Sequence, residues 1–194
     1  MALLGSLVNT AAILLGGFLG LLFRKGLPQR IADTLMKGLG LCVLLIGISG
    51  VLKGQNSLIA ILSMAIGAVL GELLDLDKHL NRFGAFLQRR FSPKAPGAAA
   101  DNRFAEGFVS ASLLFCVGAM AVVGALDSGL RCDHETLFAK SLIDGLSALI
   151  FASTLGAGVL LSAAPVLVYQ GTITLLAQWL APVLTDTIVA EMTC

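Results

Sequence analysis

The stretch Phe138–Trp179, FAKSLIDGLSALIFASTLGAGVLLSAAPVLVYQGTITLLAQW, is long enough for two membrane crossings, yet it holds Lys140 and Asp144 in its first turns. At about 1.5 Å of rise per residue, a helix beginning near Leu137 carries Asp144 about 10 Å inward, into hydrocarbon. A carboxylate costs roughly 2.5–3.5 kcal/mol at the centre of a membrane helix and somewhat less nearer the interface, so Asp144 is expected to face protein, a partner charge or water. Lys140, one helical turn away, is the expected partner, with Ser141 and Ser147 nearby as hydrogen-bonding groups. Ala148, Ala152 and Gly156 continue the four-residue steps as a ridge of small residues, on which another helix can lie close.

Composition agrees with that reading. A chain of 194 residues with 57% hydrophobic and 13% charged residues and a mean hydropathy of +0.91 is too apolar for a water-soluble globule. The fold class expected is all-α, a polytopic transmembrane helix bundle. Most basic residues fall in two segments, Arg24 to Lys37 and Lys78 to Arg103, beside apolar spans. The positive-inside rule therefore puts loops 24–30 and 75–103 in the cytoplasm and the N-terminus outside. No nucleic-acid partner follows from these charges. Cys42 and Cys116 lie in apolar runs, Cys132 in a loop and Cys194 at the end, without metal-type spacing. The N-terminus lacks a basic n-region and reads as a retained first span, not a cleaved signal peptide.

Six spans are expected. Span one, Leu3 to Phe23, contains Asn9, Thr10 and the Gly16/Gly20 pair; span two, Ile31 to Leu52, opens with Asp33 and Lys37 as an interfacial pair. Gly38, Gly40, Gly47 and Gly50 smooth span two, which predicts a central, crowded position. Span three, Ser57 to Leu74, repeats the glycine pair as Gly67 and Gly71, and Glu72, Asp75 and His79 beyond it read as solvated charges in preference to a metal site. Leu80, Phe83, Leu87 and Phe91 make Lys78 to Phe91 an amphipathic helix on the inner leaflet, and Ser92 to Asn102 has linker composition. The chain thus divides into 1–77, 78–103 and 104–194.

Span four is Arg103 to Leu126, and the acidic loop after it includes Cys132-Asp133-His134-Glu135, read as solvated. Span five runs from about Leu137 to Ser162, a tight inner turn surrounds Ala164 and Pro165, and span six runs from Val166 to about Leu184. Tyr169, Gln170, Thr172, Thr174 and Gln178 are too many hydrogen-bonding groups for a lipid-facing helix, so span six is expected to pack centrally or line a cavity.

Internal copies are also expected. Arg30-Ile31-Ala32-Asp33 aligns with Arg103-Phe104-Ala105-Glu106, and Ile188-Val189-Ala190-Glu191 opens like a seventh span that stops at Cys194. Asn9-Thr10 and Gln170-Gly171-Thr172 match in opposite sense, as the inverted repeats of many secondary transporters do.

Four runs carry a family resemblance: Gly38 through Gly50, Gly67 through Asp77 (GAVLGELLDLD), Glu106 through Gly118 (EGFVSASLLFCVG) and Lys140 through Gly156. With these, the chain resembles the YqgA/YdfK-like family of prokaryotic inner-membrane proteins, labelled domain of unknown function 554. The resemblance implies integral membrane proteins of about seven helices, referred to as transport proteins without an established substrate or site. It also implies a further glycine-rich helix past Glu191-Met192-Thr193, so the chain reads as ending before its seventh span.

The function expected is transport of a small solute or ion. Asp144 with Lys140 forms the charged centre, Asn9, Tyr169, Gln170 and Thr172 supply neutral polar contacts, and protonation or cation binding provides coupling. The competing readings are a non-transporting scaffold or sensor reporting through the 78–91 helix, and an oligomeric channel. No catalytic set, HExxH or phosphate loop appears within the spans, so neither an enzyme nor a cofactor or metal is expected. The expected partners are the bilayer, an unidentified small solute or ion, and further copies of the chain.

Overall fold

A computed structural model describes residues 2–23, 28–53, 57–75, 82, 86 and 99–180. Eight α-helices occur among them: α1 (Leu4–Leu22), α2 (Gln29–Lys53), α3 (Ser57–Leu73), α4 (Ala99–Cys116), α5 (Ala119–Leu130), α6 (Glu135–Leu155), α7 (Gly158–Leu161) and α8 (Ala163–Leu180). The described residues contain no strand. Four helical stretches are long and apolar enough to cross a membrane: Leu4–Leu22, Gln29–Leu52, Glu135–Leu155 and Gly158–Trp179. The bent pair Glu106–Cys116 and Ala119–Leu130 makes a fifth if it is one span, and Ile61–Leu73 is a shorter apolar helix. Among the described residues the chain is therefore all-helical apart from its turns, with four to five helices fit to cross a membrane; six crossings and the start of a seventh are not established by these helices. Most of the 78–103 segment expected as an amphipathic helix and linker, His79, and the Ile188–Glu191 opening lie outside the described residues, while residues 99–102, expected as linker, belong to α4.

The packed part is built on α1 and α6. They run in the same direction, because Gly5 faces Leu137, Gly16 faces Gly145, and Gly20 faces Leu149 and Ala152. A side-chain carbon on Gly16 or Gly20 would collide with a backbone carbonyl of α6, so these glycines permit near contact between the two backbones. Ala148 and Ala152 of the expected ridge are fully buried. The chain from α7 into α8 returns in the opposite sense, with Leu160 against Gly17 and Gly171 near Leu3. Ile13, Ala111, Phe115, Ala148, Ala152, Val159, Ala163 and Val166 form the apolar core on the side of this bundle where α6 turns into α7.

Three expectations are corrected. Span four is not continuous: α4 and α5 meet at Val117–Gly118 with a bend of 57°. The turn expected around Ala164–Pro165 lies at Gly156, and span five ends at Leu155. Gly156 has φ 90°, a conformation that side-chain-bearing residues adopt only with strain, whereas Pro165 sits in the first turn of α8, where no intrahelical N–H bond is lost. Nor is span two crowded. Ala32 is the one buried residue among the described side chains of α2, and Gly38, Gly40, Gly47 and Gly50 have nothing within 4 Å of an added side-chain carbon.

Candidate functional site

Asp144 lies on the face of α6 that meets α1, and α8 joins the site through Asn9 of α1. Lys140 Nζ stands 3.0 Å from Asp144 Oδ1 and 2.9 Å from Oδ2, so the ammonium bridges both carboxylate oxygens. Neither group reaches solvent appreciably: Lys140 is 6% and Asp144 4% exposed. A single such charge in low dielectric is costly, and their proximity is what makes burial of both tolerable. Asn9 on α1 adds a second donor, its Nδ2 lying 3.0 Å from Asp144 Oδ2. The same Nδ2 donates to Gln170 Oε1 of α8 at 3.2 Å. An ionised carboxylate only accepts hydrogen bonds, which fixes the Asn9 amide with its nitrogen toward Asp144. Residues 135 and 161 positions apart are thus joined through one amide nitrogen.

Four of the six residues singled out in the sequence come together here: Asp144, Lys140, Asn9 and Gln170. Tyr169 and Thr172 do not. Tyr169 is 37% exposed, and Thr172 is exposed with its hydroxyl donating to Val168 O at 2.6 Å. Their helical positions rotate them away from the buried side that carries Gln170, as 100° per residue requires. Ser141 likewise satisfies its hydroxyl locally, on Leu137 O at 2.6 Å.

The site leaves polar atoms without a protein partner. Asn9 Oδ1, Gln170 Nε2, Ser6 Oγ and Thr174 Oγ1 are buried and unbonded, and all four residues are 0% exposed. An unsatisfied buried polar group costs about 1–3 kcal/mol, so four around one centre is an arrangement that calls for further hydrogen-bonding groups. Ser6 is instructive, because the carbonyl it would reach one turn back, Ala2 O, already accepts from Ser128 Oγ at 2.6 Å. Ser128 Oγ also lies 2.7 Å from His134 Nδ1, which places the ring hydrogen on Nδ1 if the serine hydroxyl serves Ala2. Neither Ser6 nor Ser128 stands out in the sequence; the signal is a contact spanning 126 positions.

The helix break belongs to the same neighbourhood. Cys116, a free and half-buried thiol at the end of α4, is near enough to Lys140 and Asp144 to feel both charges. At the loop, Cys132 adopts φ 55° and turns the chain so that the Asp133 N–H reaches Asp127 O at 3.3 Å. Asp133 Oδ1 then accepts the Glu135 N–H at 3.0 Å and starts α6. Among the described residues, no group of three His, Cys, Asp or Glu side chains converges as a metal site would require.

Comparison with known proteins assigns the chain to a family. A family model described as "Protein of unknown function (DUF554)" matches residues 4–194. The chain is 35% identical over 190 residues to "Uncharacterized protein YqgA" of Escherichia coli (strain K12), covering 97% of this chain and 80% of that protein. It is 29% identical over 193 residues to "Uncharacterized membrane protein YdfK" of Bacillus subtilis (strain 168), covering 97% of this chain and 79% of that one. No solved structure gives a significant match.

Proposed function

Because the chain belongs to the DUF554 family, whose description assigns no function, we propose from its own interior that it is a transporter of a small solute or ion across the bacterial cytoplasmic membrane. The observation that carries this reading is the Lys140–Asp144 pair, held among three helices and extended by the Asn9 and Gln170 amides. Ionised groups at such depth are expensive, and in membrane proteins they mark ion and solute pathways more often than they add stability. The pair is neutral as a unit. Separating its members by protonation or by a competing cation changes what the amides face, and that supplies coupling between the driving ion and the solute. Asp144 is the group that switches, Lys140 its internal counter-ion, and Asn9 and Gln170 the neutral contacts. The N-terminus and the Arg131–His134 loop face outward in this reading, with loops 24–30 and 75–103 cytoplasmic.

Uptake screening in proteoliposomes, with and without a proton gradient, tests it. Asp144→Asn in folded protein is expected to abolish gradient-driven uptake; unchanged uptake of every solute that the parent moves removes Asp144 from the mechanism.

A second reading, a non-transporting scaffold or an oligomeric channel, draws on α2. Its described side chains are almost wholly uncovered and its glycines face open space, a surface suited to a second copy of the chain. Native mass spectrometry from detergent distinguishes monomer from oligomer, and a scaffold moves no solute in the uptake assay.

A further inference from the structure

Two of the unpartnered atoms, Asn9 Oδ1 and Gln170 Nε2, belong to the amides at the charged pair, and the other two, on Ser6 and Thr174, lie on one side of it. Ser6 precedes Asn9 by three residues on α1, and so lies about 4.5 Å nearer the end of the bundle that carries Ala2. Thr174 follows Gln170 by four residues on α8, which runs opposite to α1, and so lies about 6 Å toward that same end. Beyond them, Ser128 joins the Ala2 carbonyl to His134. On the other side of the pair no side-chain nitrogen or oxygen that is fully shut off from solvent is left unbonded among the described residues; Ser147, 4% exposed, is the buried hydroxyl nearest the pair there, and Ile13, Phe115, Ala148, Ala152, Val159 and Val166 fill the remaining space, each at most 1% exposed.

From this asymmetry we infer that a water-filled path leads from the Ala2/His134 end to the Lys140–Asp144 pair and stops there, against the apolar core. One free acceptor (Asn9 Oδ1), one free donor (Gln170 Nε2) and two hydroxyls that serve as either match a file of water, which donates and accepts in turn. A cation alone leaves the amide donor unmet, and an anion alone leaves the amide oxygen unmet. The path makes the charged centre accessible from one side at a time, the first requirement of alternating access. This inference rests on the proposed working role of that centre, but labelling tests access separately from flux.

Ser6→Cys and Thr174→Cys are introduced singly into protein whose Cys42, Cys116, Cys132 and Cys194 are replaced by alanine, and are treated with aminoethyl methanethiosulfonate. Ile13→Cys in the apolar core and Leu15→Cys on the 66%-exposed outer face of α1 are the controls. A thiol in apolar surroundings stays protonated and unreactive, so Ser6→Cys and Thr174→Cys are expected to label at least about tenfold faster than either control. Rates no higher than that of Ile13→Cys overturn the path. The two test positions sit on different helices, so one misfolded variant leaves the other to decide. Leu137 packs against Gly5, beside Ser6, and is 0% exposed, so in the unsubstituted chain its hydroxyl-radical oxidation ahead of the more reactive ring of Phe115 supports the path, and the reverse order overturns it. Unlabelled cysteines in protein that still moves solute remove the path and keep the transport reading; labelled cysteines in protein that moves nothing keep the path and remove the transport reading.

Discussion

Helices α1 and α3 carry the same glycine signature and use it differently. Gly16 and Gly20 are pressed against the backbone of α6, while Gly67 in the corresponding pair on α3 has nothing within 4 Å of an added side-chain carbon. The contrast extends to α2, whose four glycines at Gly38, Gly40, Gly47 and Gly50 are equally open. What separates the two regions is polar content at depth. α1 holds Ser6 and Asn9, and Asn9 must find hydrogen-bonding partners in α6 and α8; the middles of α2 and α3 hold a serine at most, as at Ser49 and Ser63, and no amide. Small residues permit close approach. The buried amide decides which approach is made.

The strongest way to break this contrast is at the ion pair. Asp144→Ala leaves Lys140 buried and alone, and should cost about 3–5 kcal/mol, against about 0.5 kcal/mol or less for Asp33→Ala in the exposed first turns of α2. Thermal unfolding in detergent reads both, and equal shifts defeat the distinction. The double substitution of Lys140→Met with Asp144→Leu should restore much of that loss while uptake stays abolished, since apolar isosteres often equal a buried pair in stability. Recovery of uptake along with stability makes the pair a structural clasp.

Next in size is the glycine comparison itself. Gly16→Val drives a side chain into the Gly145 carbonyl and should cost about 1–3 kcal/mol or more, whereas Gly47→Val meets open space and should lie within about 0.5 kcal/mol of the parent. A comparable loss at Gly47 means that α2 is covered by something, and a shift in oligomer mass in the same sample names a second copy. Smaller still, Ser128→Ala frees the Ala2 carbonyl and should cost about 1 kcal/mol. It should also let the Ser6 hydroxyl bond one turn back, an exchange that hydrogen–deuterium protection at the start of α1 detects.

Much of the centre is legible in the sequence because it follows from local rules. The Lys140–Asp144 contact is a helical neighbour relation, and the burial of Asn9 and Gln170 follows from amides placed in apolar runs. Tyr169 and Thr172 show where that logic stops: polar content identifies the helix, while the facing side is set by packing against α1 and α5. The turn is a second case. Proline and alanine around position 165 suggest a corner, but the first turn of a helix accepts proline, and the chain turns where Gly156 takes its left-handed backbone. The break at Val117–Gly118 has no proline to announce it. The α2 helix, whose opening Arg30-Ile31-Ala32-Asp33 aligns with Arg103-Phe104-Ala105-Glu106, runs straight through, whereas the chain after Glu106 builds a bent pair.

The pairing of Asn9 with Asp144 and Gln170 also sets a schedule for biosynthesis. The amide leaves the ribosome 135 and 161 residues before its partners. At about 5–20 residues per second, it waits roughly seven to twenty-seven seconds in the membrane before either arrives. For that interval the first span is a helix with an unanswered amide and a bare glycine face, the form in which the nascent protein most needs shelter at its insertion site.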